Sequence, residues 1–311
     1  MKKNKIEGVQ PFNDFFYKSC YYHQLIAGLA CLGIDKENIL INSFVSIKED
    51  FVTINDGLFD EKNLAKYIGY KDIRSYGSRK KFIRWIDKHR PIVTGVDCYY
   101  LESRPETYLK RHDPHFVLVY GYDLDKDELN IVDHNYMNSH EYIEKVVSFK
   151  NIIIANKMFK RGIQNRKYTC HVLKPIRQKK TFDIWDYIDK KWIDENKLNS
   201  KKNLEILLNL ILTDLEAIKE KADQITRYLQ DLKTYYFILS KTKFFSNDEK
   251  KHNDISLLIS GYSNLLSLFW KMKLQNNYEY AQRKQESIIR KVEEIKVLES
   301  KVYDYLLEVY K

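Results

Sequence analysis

Glycine and proline are distributed unevenly along this chain. Nine of the ten glycines and all five prolines lie at or before Pro175, and the remainder of the 311 residues contains only Gly261. Both residue types interrupt regular structure, so their loss after Pro175 predicts a mixed first domain and an all-helical second domain. We place these domains at residues 1–178 and 179–311, with the polar stretch 178–180 as an exposed linker.

A strand–turn–strand pattern dominates the first domain. The runs His115–Tyr122 and Leu129–Asp133 are apolar and β-branched, and the polar stretch 123–128 separates them. Two such runs joined by a short polar loop predict a β-hairpin. Further strands are predicted at Phe51–Ile54, Pro91–Asp97, Ile152–Ile154 and Tyr168–Leu173, and helices at Glu61–Ile68 and Ser78–Lys88.

A cysteine stands at the start of an apolar helical pattern. Ser19 is a good N-cap residue, which puts Cys20 at the first helical position, and Leu25 and Leu29 recur at helical spacing before Gly33 ends the pattern. The thiolate is the nucleophilic form of cysteine, and a helix N-terminus favours it by only about 0.3–1 kcal/mol. A majority of thiolate at neutral pH needs about 2.7 kcal/mol. An imidazolium beside the sulfur is therefore required.

The predicted hairpin supplies a histidine. With the turn centred near residues 124–125, antiparallel pairing places His115 opposite Asp133, within a residue or two. Cross-strand neighbours have Cβ atoms about 5 Å apart, so Asp133 can hold one ring nitrogen of His115 and leave the other for Cys20. Cys20, His115 and Asp133 are thus candidates for a nucleophile, a base and an orienting acid.

Two stretches resemble the papain-like cysteine acyltransferase family of the butirosin-biosynthesis protein N-terminal domain. One is the helix that Cys20 opens. The other is the strand Arg90–Asp97 with the tyrosine-rich loop, the strand His115–Asp123 and the return Ile131–Asp133 that follow it. The resemblance covers roughly residues 12–175. It implies an α+β chain, with a papain-like cysteine protease fold as the catalytic domain and a C-terminal all-α helical domain.

The resemblance also implies an activity in specialised-metabolite biosynthesis, such as the making of antibiotics. It is the formation of an amide bond by transfer of an acyl group from a carrier-protein thioester, through an acyl-Cys20 intermediate, to an amine. On this reading His115 is the general base and then the general acid, and Asp133 orients it. The implied partners are an acidic acyl or peptidyl carrier protein and a small amine. No cofactor is implied except phosphopantetheine, as the arm of the carrier, and no metal.

The chain departs from papain-like peptidases in the segment before Cys20. Those enzymes have a glutamine about six residues before the cysteine that helps bind the oxyanion, whereas this chain has Asp14 there and Asn13 beside it. An ionised carboxylate cannot donate a hydrogen bond, so Asn13, Gln24 or the backbone N–H of Cys20 would have to donate. This departure lowers the expectation of efficient peptide hydrolysis.

Four residues are candidates for substrate binding: Asn13, Asp14, His23 and Asp97. His23 lies one helical turn after Cys20, and either a pocket residue or an ordinary packed histidine fits that position. Asp14 and Asp97 are carboxylates that could attract an amine. On paper, Cys20 and His23 with His112 and His115 could also hold zinc, although their spacing is not that of a zinc finger.

The net charge of +10 and the isoelectric point near 9.1 favour an acidic partner. No nucleic-acid-binding motif occurs, so a nucleic-acid partner is not expected. The N-terminus lacks an apolar signal segment and no run of 18 apolar residues exists, which predicts a cytoplasmic protein without a membrane anchor. The four cysteines form no CxxC pair and are expected to be free thiols.

The second domain shows helical periodicity over 182–195, 203–240, 253–273 and 277–310. Its clearest apolar seam consists of Ile288, Val292, Ile295, Leu298, Val302, Leu306 and Val309. The seam fits either a bundle within one chain or a homodimer contact. Two other functions stay open beside acyl transfer: a cysteine peptidase or amidase, and a catalytically silent scaffold.

Overall fold

The computed structural model describes residues 2–13, 19–34, 45–54, 65, 68–136, 141–163, 168–176, 188–275 and 284–310. By its contacts the chain divides into two compact units, Met1–Ile39 with Glu61–Thr181 and Leu40–Asp60 with Phe182–Lys311. The first unit mixes helices and strands, and the second is largely helical. The predictions of mixed α and β structure and of a C-terminal helical region are therefore confirmed.

An antiparallel sheet forms the centre of the first unit. Its strands are β1 (Lys3–Lys5), β4 (Tyr70–Ser75), β5 (Ile92–Asp97), β6 (Pro114–Asp123), β7 (Glu128–His134), β8 (Tyr142–Ser148) and β9 (Cys170–Pro175). In the part of the chain that the structure describes, the order is β4-β9-β5-β6-β7-β8, and β1 pairs with β6. The predicted strands at 91–97, 115–122, 129–133 and 168–173 correspond to β5, β6, β7 and β9, whereas β4 and β8 were not predicted.

The predicted hairpin is present as β6 and β7, and it contains a β-bulge. Gly121 pairs with Asn130, but Val119 pairs with Ile131, so Tyr120 is an extra residue on β6. The bulge decides which side chains share a face, because successive side chains of a strand alternate. Beyond it, the register Leu118↔Val132 puts Asp133 opposite position 117, on the same face as position 115. Without the extra residue, Asp133 would stand opposite position 118 and face the other way.

The helix that Cys20 opens is confirmed as α1 (Cys20–Ala30), with Ser19 as an extended N-cap residue. It packs against β5 and β6. Gly28 permits this close approach, because a Cβ there would lie 2.7 Å from Leu173 Cδ1 and 3.0 Å from Leu118 Cδ1. Gly33 follows the helix with a φ of +78°, a backbone conformation that favours glycine.

Two further helices of the first unit lie wholly within the described residues: α2 (Arg79–Ile86) and α3 (Phe149–Met158). The predicted helix 78–88 is thus confirmed, whereas the strand predicted at Ile152–Ile154 is wrong. These isoleucines lie inside α3, where the Ser148 hydroxyl accepts a hydrogen bond from the Asn151 backbone N–H at 3.2 Å and caps the helix. An apolar run of three residues occurs in buried strands as well as in helices, so the run alone does not predict which one forms. The cap at Ser148 favours the helix. The helix predicted at 61–68 lies mostly outside the described residues.

The second unit contains the helices α4 (Lys190–Thr213), α5 (Leu215–Lys241), α6 (Lys243–Ser246), α7 (Glu249–Gln275) and α8 (Gln285–Glu308). The predicted seam lies on α8, which packs against α4 and α7 of the same chain. Its members Ile288, Val292 and Ile295 are buried there. Leu298 is only partly buried, and Glu299 takes the core position instead.

Glu299 is a buried carboxylate surrounded by hydroxyl groups. It accepts hydrogen bonds from Ser200 Oγ at 2.7 Å, Tyr236 Oη at 2.5 Å and Tyr262 Oη at 2.7 Å. Burial raises the pKa of Glu299, and these three donors offset part of that rise. The helical core is thus built around a polar group that an apolar periodicity does not anticipate.

A short hairpin of β2 (Ser46–Ile47) and β3 (Thr53–Ile54) belongs to the second unit, although it lies within the range 1–178 predicted for the first domain. Its backbone is bound by side-chain amides of α4. Asn196 accepts from the Ile47 N–H at 2.8 Å and donates to the Val45 carbonyl at 3.0 Å. Since these bonds join segments about 150 residues apart, a linear boundary near 178 does not describe the observed units.

None of the helices in the described residues is long and apolar enough to cross a membrane.

Gly95 in β5 provides a test of the packing in the first unit. A Cβ at Gly95 would lie 2.5 Å from Cε1 of the fully buried Phe159 ring. We therefore expect Gly95→Ala to lower the free energy of unfolding by about 1–3 kcal/mol, because overpacking forces neighbouring side chains out of their rotamers. Urea unfolding measures this loss. Phe159→Leu added to Gly95→Ala should cost less than the sum of the single changes, and strict additivity would contradict the assigned clash.

Candidate active site

The site lies where the N-terminus of α1 meets the start of β6. Cys20 is the first residue of α1, and its sulfur is hydrogen-bonded to His115 and to the backbone of Phe116 and Tyr21. The thiol is partly exposed to solvent. A helix N-terminus presents backbone N–H groups without intrahelical partners, so this position is favourable for a thiolate.

His115 connects Cys20 to Asp133. Nε2 of its ring lies 2.8 Å from Oδ1 of Asp133, which leaves Nδ1 as the ring nitrogen for Cys20. His115 is only 4% exposed. It lies on β6, where it stands opposite Val96 of β5. The structure thus brings together the three residues predicted as nucleophile, base and orienting acid.

Opposing effects set the protonation of Cys20 and His115. Burial raises the pKa of the Cys20 thiol, but the hydrogen bond and charge of His115 and the two backbone hydrogen bonds lower it further, so the pKa ends below its ordinary value. Burial lowers the pKa of His115, and the bonds to Asp133 and Cys20 more than offset this, so the pKa is raised. Both shifts favour a thiolate–imidazolium pair.

Asp133 is fully buried, so its charge requires compensation. Burial raises its pKa, but His115 and then Arg104 and Lys145 lower it, to about 2. Nη1 of Arg104 lies 3.7 Å from Oδ1, Nζ of Lys145 lies 3.5 Å from Oδ2, and the His134 backbone N–H donates to Oδ1 at 2.7 Å. Since folding lowers this pKa, ionised Asp133 stabilises the fold above about pH 4, and the contribution is lost as the pH falls towards 2.

Arg104 is the part of the site that sequence reasoning missed. Its side chain is 3% exposed, and the negative charges of Asp133 and Glu106 raise its pKa against the effect of burial. An arginine in a charged, proline-containing loop is ordinarily exposed, so its own pattern held no signal. The only available clue was indirect: a buried carboxylate needs a cation nearby.

The other cysteines differ from Cys20. Burial raises the pKa of Cys31, Cys98 and Cys170 to about 12 in each case. The charge of Arg104 lowers the pKa of Cys98 but offsets only part of the rise caused by burial. Nη1 of Arg104 donates a hydrogen bond to the Cys98 sulfur at 3.5 Å. These three thiols are therefore protonated and unreactive at neutral pH.

Two of the residues predicted to bind substrate converge on a tyrosine of β8. The Asn13 side chain forms two hydrogen bonds with the Tyr142 backbone, donating to its carbonyl at 2.9 Å and accepting from its N–H at 2.8 Å. The His23 ring stacks on the Tyr142 ring with centroids 4.5 Å apart. Asn13 is therefore engaged as a backbone clamp and His23 as a packed ring. Asp14 lies outside the described residues.

Asp97 is buried, and both its oxygens are engaged. Oδ1 accepts from the Tyr99 N–H at 3.1 Å, and Oδ2 lies 2.7 Å from Nδ1 of the exposed His112. Gln24, the amide proposed as an alternative oxyanion donor, is fully buried, and within the described part of the chain neither of its amide atoms has a hydrogen-bond partner. Among the described residues no group of three or more His, Cys, Asp or Glu side chains is arranged to hold a metal ion.

No family model matches this chain, and no curated protein matches it either. The geometry of the site itself therefore carries the functional argument. A partly exposed thiol with a lowered pKa, a buried imidazole and an ionised carboxylate can perform nucleophilic chemistry on an acyl group.

The reactivity of Cys20 tests this electrostatic arrangement. We expect iodoacetamide to alkylate Cys20 selectively at pH 7, with a pH-rate midpoint below the ordinary thiol value of about 8.5. His115→Ala should move the midpoint above that value, because burial then acts without the imidazolium. Peptide mass spectrometry measures labelling at each cysteine. Cys31 is the internal control at the other end of α1, and equal labelling of Cys20 and Cys31 would contradict the assignment.

The stability of two variants tests the buried charges. We expect Arg104→Met to lower the free energy of unfolding at pH 7 by about 3 kcal/mol, because it removes one partner of a buried ion pair. Lys145→Met should cost less, since the Lys145 side chain is 13% exposed. Urea unfolding compares the two, and an equal or larger loss in Lys145→Met would show that Arg104 is not the stronger of these two cationic partners of Asp133.

Proposed function

We propose that the first unit has a papain-like fold and acts as a cysteine-dependent acyltransferase, forming an amide bond from a carrier-protein thioester and an amine. The observation that carries this proposal is the hydrogen-bonded series Cys20–His115–Asp133, with its thiol at a helix N-terminus. This order of nucleophile, base and orienting carboxylate suits the formation and breakdown of an acyl-cysteine.

In the first step the Cys20 thiolate attacks the carbonyl carbon of the thioester. A bond forms between Sγ and that carbon, and the carbonyl oxygen becomes an oxyanion. The carbonyl then re-forms, the bond to the carrier sulfur breaks, and the leaving thiolate takes the proton from the His115 imidazolium. Acyl-Cys20, a free carrier thiol and a neutral His115 remain.

In the second step the amine nitrogen attacks the acyl-Cys20 carbon and its proton passes to His115. The carbon–sulfur bond breaks and returns the Cys20 thiolate beside the imidazolium. Asp133 holds Nε2 of His115 throughout, so Nδ1 stays directed to the reacting atoms. The buried charge of Asp133 also stabilises the imidazolium that appears in each cycle.

The choice of carrier thioester and amine rests on the resemblance to the butirosin-type acyltransferase family and, within that group, to the amide-forming enzyme of closthioamide biosynthesis. The net charge of +10 suits an acidic carrier protein. No cofactor is needed, because phosphopantetheine enters only as the arm of the carrier. A reducing, cytosolic compartment would keep the four thiols free.

Hydrolysis is the second candidate function. Cys20 is partly exposed, so water can reach the same intermediate as an amine. A peptidase or amidase would use the same three residues, with water as the acceptor. The acceptor that resolves acyl-Cys20 therefore distinguishes the two functions.

Intact-mass measurement tests the covalent step. After incubation with an acylated carrier protein, we expect one acyl adduct on the wild-type chain and none on Cys20→Ala. Addition of amines should release the adduct as an amide. Cys31→Ala is the matched control and should behave as the wild type, because that thiol has a pKa of about 12. Full amide formation by Cys20→Ala would refute the proposal, and release of free acid alone in the presence of amines would favour hydrolysis.

A further inference from the structure

Attack on an acyl carbonyl creates an oxyanion that needs hydrogen-bond donors. The position of the papain-type glutamine is Asp14 in this sequence, and an ionised carboxylate cannot donate. The amide of the neighbouring Asn13 is engaged by the Tyr142 backbone at both its oxygen and its nitrogen, which leaves it a single further N–H. The Cys20 backbone N–H would supply at most one donor, so a side-chain donor remains to be assigned.

The Tyr142 hydroxyl is a buried donor without a partner. The side chain is 1% exposed, and its oxygen forms no hydrogen bond with any residue that the structure describes. Buried tyrosine hydroxyls usually have a partner, because an unpaired one loses its bonds to water. A polar atom left unpaired in a well-packed interior calls for an explanation, and a bond made only during the reaction is one.

The Tyr142 ring is held from several sides. Asn13 binds its backbone twice, the His23 ring stacks on it at 4.5 Å with an interplanar angle of 18°, and the His134 ring lies 4.3 Å away. Groups fixed before the reaction stabilise a developing charge best, since no reorganisation is needed at that moment. Asn13 and His23, two residues that the sequence associates with the site, would thus have the role of holding Tyr142 in place.

The same contacts place Tyr142 beside the nucleophile. His23 lies three residues after Cys20 on α1, and the His134 ring that touches Tyr142 lies 4.8 Å from the His115 ring. Tyr142 thus contacts His23, one helical turn after Cys20, and His134, whose ring adjoins that of His115. Burial, and then the charges of Cys20 and Asp133, raise the pKa of the Tyr142 hydroxyl, so it stays protonated and able to donate.

From this geometry we propose that the Tyr142 hydroxyl donates a hydrogen bond to the oxyanion formed when Cys20 attacks an acyl carbonyl. The proposal rests on the proposed acyl chemistry of Cys20, but it holds whether an amine or water accepts the acyl group. Tyr142 would then be a catalytic residue that replaces the missing glutamine with a phenol.

Gln24 is the competing donor. Its amide is also buried without a partner, one helical turn after Cys20. Tyr142 is favoured because its ring contacts His23 and His134, on the two sides of the Cys20–His115 pair, and because the charge of Cys20 acts on its hydroxyl. A variant of each residue separates the two assignments.

The test compares two reactions of the same thiol. p-Nitrophenyl acetate acylates Cys20 through an oxyanion, whereas iodoacetamide alkylates it by direct displacement without one. We expect Tyr142→Phe to slow acylation about 100-fold or more, the usual effect of losing one oxyanion donor, and to change alkylation less than about threefold. Tyr122→Phe is the matched control, because that buried hydroxyl is bonded to Asp87 at 2.7 Å.

Folding is monitored in parallel. Tyr142→Phe keeps the stacked ring and removes only an unpaired hydroxyl, so its urea midpoint should equal or exceed that of the wild type. Stability that is kept while acylation falls is the expected result. Tyr142→Phe acylating like the wild type, or losing acylation and alkylation in equal proportion, would overturn the proposal. So would a large acylation defect in Gln24→Leu with none in Tyr142→Phe.

The experiments distinguish failure of the Tyr142 assignment from failure of the proposed acyl transfer. If acyl-Cys20 forms with the predicted dependence on Tyr142 but yields only free acid, the transferase proposal fails and the assignment of Tyr142 stands. If amide forms at the wild-type rate in Tyr142→Phe, the transferase proposal stands and this assignment fails.

Discussion

The ionised carboxylate of Asp133, enclosed in the interior of the first unit, is the interaction on which the site depends. A lone charge there would be too costly, so the surrounding structure must supply cations and donors. They come from His115 on β6, Arg104 in the loop between β5 and β6, Lys145 on β8 and the His134 N–H on β7. The same contacts set the tautomer and pKa of His115, and through it those of Cys20. The reactivity of Cys20 and part of the stability of the first unit therefore depend on the same buried charge.

The second unit buries a carboxylate by a different chemistry. Glu299 is surrounded by the hydroxyl groups of Ser200, Tyr236 and Tyr262, and no cation among the described residues forms an ion pair with it. Neutral donors leave its pKa raised, whereas the cations around Asp133 leave that pKa lowered to about 2. One chain thus contains a buried acid with a raised pKa, Glu299, and a buried acid with a lowered pKa, Asp133. Of these two, Asp133 is the one that is held ionised and lies beside the site of the nucleophile. Surroundings, and not residue type, separate the reactive carboxylate from the structural one.

Local sequence patterns predicted much of the first unit, because these elements are determined by residues that lie close together in the chain. The N-cap at Ser19, the helix from Cys20 and the hairpin of β6 and β7 follow from residue types at short spacing, whereas the bulge that puts Asp133 on the face of His115 does not. Arg104 and Tyr142 could not be found this way, since their positions depend on contacts with residues far along the chain. The same limit explains why the hairpin 46–54 was assigned to the wrong unit. Its backbone partners are side chains of α4, about 150 residues later.

The extra residue Tyr120 in β6 gives the hairpin two regions with different tolerance to change. On the turn side of the bulge, loop length at 124–127 can vary while the strands keep their pairing beyond it. On the other side, loss of a single residue would exchange the faces of β6, and His115 would point away from Asp133 even though every hydrogen bond of the ladder could re-form. An insertion or deletion there would leave a folded sheet with a divided site, so divergent relatives of this chain should vary in the turn and keep the bulge.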